Sequence, residues 1–176
     1  MINYHKVDSL SDMQAYISRL RQVDRALGQE LEKARRNAER GVRAPQFAYE
    51  IVIDEARKII SGEPFDDQVE NDSAIWSDSM AKIAVLVEAG EIDGAMAEIL
   101  TDQVRNALLE GYQPIYEEII TWLSQDITNT DSEPRGVWAW PQGEDYYNQL
   151  LSFCTTTNLT AEEVHQIGLD EVDRLM

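Results

Sequence analysis

From Ser11 to Glu39 the apolar residues Met13, Tyr16, Leu20, Val23, Leu27, Leu31, Ala34 and Ala38 recur every three or four positions, which lines them along one side of an α-helix. The same period returns in most later segments, whereas the two-residue alternation of a half-buried strand never holds over a useful length. A helix with one apolar stripe must bury that stripe against other helices. The spacing therefore predicts an all-α chain, a bundle of about six helices with one long kinked helix and an extended aromatic loop, forming a single domain over residues 1–176.

Local signals divide the bundle. Ser11 is a candidate N-cap for the first helix, and Gly41 supplies the left-handed residue that closes it. Pro45 suits the first turn of a second helix with Phe47, Ile51, Val52, Ala56, Ile59 and Ile60 facing inward, ended by Gly62 and Pro64. An acidic connection, Phe65 to Asp72, leads to a third helix marked by Ile75, Met80, Ile83, Ala84 and Val87 that stops near Gly90. The fourth runs from about Asp93 with Met96, Leu100, Val104, Ala107, Leu108, Ile115, Ile119 and Leu123 in period. Pro114 lacks a backbone donor and should kink that helix without ending it, because the period continues beyond.

The period is lost between Thr128 and Gly143, where Gly136-Val-Trp-Ala-Trp-Pro-Gln-Gly143 forms the extended loop. Helix resumes near Glu144 with Tyr147, Leu150, Leu151 and Cys154 on one side, and breaks in the Thr155 to Asn158 run. Thr160-Ala-Glu-Glu163 reads as a capping box for a last helix that reaches the terminus.

Composition bounds the function. The 33 acidic and 15 basic side chains give a net charge of −18, so the averaged field repels phosphate backbones and anionic lipid, and nucleic acid is not an expected partner. Arg35, Arg36, Arg40 and Arg43 cluster, but intervening glutamates make this read as a solvated helix face. Cys154 is the only cysteine, which excludes an intrachain disulfide and reads as a core residue. No stretch approaches the length of a membrane span, and the start, Met1 to His5, lacks the regions of a signal peptide; an exported parent protein would have had its signal removed from this sequence.

The residues that carry hydrolytic chemistry are sparse. A helical zinc hydrolase needs His-Glu-x-x-His, which puts two imidazoles on one metal and a glutamate beside its water. That motif is absent, and the only histidines are His5 and His165. Glu162-x-x-His165 is one quarter of a carboxylate-bridged di-iron site without the second copy such a site requires. There is no nucleophile elbow, no phosphate-binding glycine loop and no EF-hand; Asp66, Asp67, Glu70 and Asp72 read as a solvated connection. No catalytic or metal-ligating residue is assigned. Trp138, Trp140, Tyr146 and Tyr147 crowd one loop, where large amphipathic rings either plug a core or line a ligand cleft.

The run from Gly136 to Tyr147, and Thr155-Thr-Thr-Asn-Leu-Thr-Ala-Glu-Glu-Val-His-Gln-Ile-Gly-Leu-Asp-Glu-Val172, resemble the bacterial family named domain of unknown function 885. So do Arg35 to Phe65, with Gly41, Pro45 and Gly-Glu-Pro-Phe65, and the Pro114-x-Tyr116 element. Trp140 departs from the smaller aliphatic residue expected before Pro141.

The resemblance implies a longer protein, with many lipoproteins among its relatives, similar to gluzincin-type zinc peptidases whose His-Glu-x-x-His lies downstream. It implies that this chain is an amino-terminal, helical, cleft-forming fragment whose catalytic part and zinc are supplied beyond Met176, with the rest of the polypeptide and a peptide substrate as partners. Trp138, Trp140, Tyr146, Tyr147 and His165 are then the candidate cleft-facing residues, and the cell envelope or periplasm is the expected location. The competing expectation is a non-enzymatic, acidic helical interaction module, self-associating or binding a basic partner. An independent enzyme using Cys154 or His165 is the third.

Overall fold

The computed structural model describes residue 2 and residues 4–176, and among them every regular element is helical. The elements are α1 Leu10–Arg21, α2 Val23–Glu39, α3 Gln46–Ile59, α4 Ala74–Glu88, α5 Gly94–Ala107, α6 Gln113–Asp126, α7 Gly143–Thr155 and α8 Ala161–Leu175. Two pairs are bent rods, so the architecture is that of six helices, as the periodicity implies.

The first long helix is broken where the spacing predicts continuity. Ser9, not Ser11, caps α1 by accepting from the Asp12 amide. At Gln22 the side-chain amide donates to the Ser18 carbonyl (3.2 Å), which a continuous helix would leave to the Gln22 backbone N–H. That N–H turns to the Arg19 carbonyl instead (3.1 Å). Such side-chain competition for backbone acceptors bends a helix without ending it, and Ala26 N–H restarts the ladder on Gln22.

The second rod behaves as expected of Pro114. A single π-helical turn, Leu108–Tyr112, joins α5 to α6, with Pro114 in the first turn of α6. The missing proline donor is absorbed by this wider turn, and the apolar face runs on through it. Gly41 and Gly90 adopt φ +78° and +72°, closing α2 and α4 in the left-handed conformation that glycine adopts at little cost.

One cluster forms the core. Met13, Tyr16, Ile17 and Leu20 of α1 meet Ile75, Trp76, Ile83 and Leu86 of α4 and Leu100, Val104 and Ala107 of α5. Tyr16 is fully buried, and its hydroxyl donates to Asp78 (2.8 Å). Asp78 in turn pairs with Lys82. Burial pushes the Tyr16 phenol far above its ordinary pKa.

α3 lies against α6 through Tyr49, Ile53 and Ala56. This corrects the predicted inward face: Ala56 is buried, whereas Phe47, Ile51, Val52 and Ile59 are exposed. Two apolar stripes competed on α3. The winning one carries Tyr49, whose hydroxyl finds a buried carboxylate, and Ala56, whose small side chain permits a close helix approach. α4 is similarly rotated, burying Trp76, Ser79 and Leu86 while Ala84 and Val87 face solvent.

α7 and α8 stand apart from this core. α7 packs chiefly against the short 3-10 turn Gly136–Ala139. Gly143 is the single buried residue of α7, and α8 has none. Cys154, expected in the core, is exposed on α7. No described helix is long and apolar enough to cross a membrane.

Candidate functional site around the aromatic loop

The helical period that runs Ile115, Ile119, Leu123 along α6 arrives next at Asp126. A carboxylate on an apolar face requires partners, since an unpaired buried charge costs several kcal/mol. Four donor contacts supply them. The Arg43 guanidinium binds Asp126 in a fork, Nε to Oδ2 and NH2 to Oδ1, both 2.9 Å. Tyr49 donates its hydroxyl to Oδ2 (2.9 Å), and the Asn129 amide donates to Oδ1 (3.1 Å). The Arg43 side chain is 23% exposed and that of Asp126 11%. Arg43, above all its partners, holds the Asp126 carboxyl below its ordinary pKa against the opposing effect of burial. Burial, reinforced by the hydrogen bond to Asp126, pushes the Tyr49 phenol up to about 12.

Arg43 lies in the short connection between α2 and α3, not on a solvated helix face. Its neighbour Arg35 pairs with Glu118 across the surface (2.9 Å). Arg35 and Arg43 thus make separate structural ties, while Arg36 and Arg40 stay exposed as the solvated-face reading expects.

Trp140 docks on this connection. Its indole N–H donates to the Arg43 carbonyl (2.8 Å), and its ring meets Tyr146 edge-on with centroids 5.2 Å apart. Trp140 borders two open hollows. One, of about 300 Å³, lies among Gly41, Pro45, Asp131, Glu133, Arg135 and Val137. The other, of about 340 Å³, is walled by Tyr49, Val52, Trp122 and Leu123.

Of the five residues singled out in the sequence, the structure brings four together. Trp138 lies 5.6 Å from Tyr147, centroid to centroid, and is 62% exposed. Tyr146 and Tyr147 are exposed, and Trp140 is half-buried. The loop is thus neither a core plug nor free of the body: one tryptophan is anchored and the other lies open. His165 is exposed on α8 and joins none of the described hydrogen bonds or ring contacts of the loop. Among the described residues no three His, Cys, Asp or Glu side chains group as metal ligands, and Glu162 and His165 have no further ligand beside them.

Tyr49, Trp122, Asp126 and Asn129 border the loop without having been singled out, and Arg43 reads in the sequence only as part of a solvated arginine cluster. The available signal was Asp126 itself, a charged residue in register with an apolar stripe.

The whole chain, residues 1–176, matches the family model described as "Bacterial protein of unknown function (DUF885)". The chain belongs to this family. A crystal structure described as "the putative lipoprotein from Colwellia psychrerythraea" matches with a TM-score of 0.78 at 22% identity, covering 98% of this chain and 28% of that one. The DUF885 chain thus spans under a third of that protein's length, and the likeness establishes a shared helical fold. No curated protein matches it.

Proposed function

We propose that this DUF885 chain is a non-catalytic, cleft-forming portion of a longer bacterial protein resembling zinc metallopeptidases, supplying binding surface while the hydrolytic centre is built from sequence downstream. The observation that carries this reading is the set of apolar side chains that the last two helices leave exposed. Leu150 and Phe153 of α7 and Ile167, Leu169, Val172 and Leu175 of α8 are all exposed. Exposed apolar side chains in this number are what an interaction surface presents, and the solved relative has more than two thirds of its length outside the matched region. Placing the zinc outside this segment is supported by its histidines: His5 precedes α1 and His165 lies on α8, and among the described residues neither belongs to a group of three His, Cys, Asp or Glu side chains. In this reading the intact protein hydrolyses peptides in the cell envelope, the latter supported by the relative's description as a lipoprotein.

The test compares the chain with a version extended along its reading frame to the length of the solved relative. The extended protein should bind one zinc by elemental analysis and cleave peptides in a chelator-sensitive way, while residues 1–176 alone do neither. Zinc-restored cleavage by residues 1–176 would overturn the assignment. An extended protein that is metal-free and inert would favour an acidic interaction module, a reading supported by the net charge of −18.

A further inference from the structure

The aromatic loop is locked onto itself. Trp140 N–H bonds the Val137 carbonyl (3.0 Å), and Gly143 N–H bonds the Trp140 carbonyl (3.1 Å). The backbone passes so close at Gly143 that an added Cβ would sit 1.8 Å from the Val137 oxygen. Residues 136–143 are therefore bonded and packed against one another as one turn unit, and α7 begins on that unit and packs chiefly against it.

Few ties hold this unit to the helical body. Asp131 accepts from the Gln46 amide at the loop's entry (3.2 Å), and Pro141 lies against Gly41. Among the described residues a further tie is polar and part-buried: the Trp140 indole on the Arg43 carbonyl. The residue offering that carbonyl is the one whose guanidinium is forked onto Asp126, at the last residue of α6. Fork geometry restricts the Arg43 side chain more than a single contact would. Tyr49 and Asn129 hold the carboxylate from the other directions.

We propose that Arg43 is a positioning residue: by gripping Asp126 with its side chain and the Trp140 indole with its carbonyl, it sets where the aromatic loop and α7 stand against the body of the molecule. Releasing either grip frees the loop and α7 together, while the core of α1, α4 and α5, which shares no residue with this network, stays closed.

Two readouts test this on the full chain. Trypsin reaches the exposed Arg135 within the loop, and its rate follows the open population when opening is fast. Trp140→Phe keeps an aromatic ring and removes only the indole donor. It should speed cleavage after Arg135 about fivefold to tenfold, the loss expected for one hydrogen bond. Asp126→Asn should speed it at least as much, and the double variant should not exceed the larger single effect by more than about twofold, because both break one chain of contacts.

Labelling with 5-fluorotryptophan supplies a signature that mere destabilisation would not move. The chain has four tryptophans, and the Trp140 resonance is identified by its loss in Trp140→Phe. Asp126→Asn should shift or broaden that resonance under native conditions and leave Trp76 in place. Unchanged cleavage and an unmoved Trp140 resonance in Asp126→Asn overturn the proposal, as do additive effects in the double variant. Should Asp126→Asn not fold, an unchanged cleavage rate in Trp140→Phe overturns it alone.

Discussion

At the scale of single residues, Asp126 is where burial and charge meet. Its stabilising role depends on being ionised, and Arg43 keeps its folded pKa below the unfolded value. A carboxylate so shifted contributes stability that is fully present above its unfolded pKa of about 4 and is lost as pH falls through the lower folded value. Tyr49 has the opposite sign: with its phenol raised to about 12, its contribution holds below about pH 10 and fades as pH rises toward that value. Denaturant titrations of the chain and of Asp126→Asn should therefore differ by about 2–3 kcal/mol at neutral pH, the scale of hydrogen bonds to a charged group. That difference should shrink below about pH 4. A difference that stays constant down to pH 2 would show that the ionised form is not what matters. The aspartate, passed over in the sequence, carries a usable signal as an anomaly of period, whereas Arg43 carries none, because its connection has no period and it sits beside other arginines diluted by glutamates. Cys154 misled for a related reason: a helical stripe reports which residues share a side, and says nothing of whether a neighbour covers it.

At the scale of elements, the helices were legible to within a few residues because each carries its own local signals, while their rotations were set by partners. α3 shows the distinction. Its apolar residues satisfy two stripes, and partners remote in sequence select between them, among them Asp126, 77 positions from Tyr49. α8 is the converse, an element specified almost wholly by local chemistry. Thr160 accepts from the Glu163 amide (3.3 Å), and Glu163 accepts from the Thr160 amide (2.8 Å), closing the box that the sequence announces. With no buried residue, this 15-residue helix has little tertiary support, and isolated helices of that length are marginal in water. Thr160→Ala should consequently lower helical circular dichroism at 25 °C and speed amide exchange across Ala161–Leu175, by about 1 kcal/mol of local stability. The midpoint of the main thermal transition should not move. A fall in that midpoint would mean that α8 is packed on the core.

At the scale of the whole molecule, stability and exposed surface are carried by different parts. The buried cluster is drawn from α1, α4, α5 and the turn after α5, with Val7 and Ile92 from the connections before α1 and α5, and α3 and α6 form a second layer tied through Asp126. The chain beyond Tyr147 adds no buried residue to either, yet it displays Phe153 at 80% exposure and Leu175 at 73%. A chain ending at Tyr147 keeps the ring contacts of Trp138 and Trp140 and loses this outward apolar face. It should melt within about 3 °C of the full chain, because removing unburied helix changes stability by less than about 1 kcal/mol. It should also sediment as a single species at concentrations where the full chain associates, since large exposed apolar patches drive association. If the shortened chain instead melts 10 °C lower, the last two helices are packed on the body and their apolar face is already covered. If it associates as strongly as the full chain, the sticky surface is the outer stripe of α3, where Phe47 and Ile51 are also exposed.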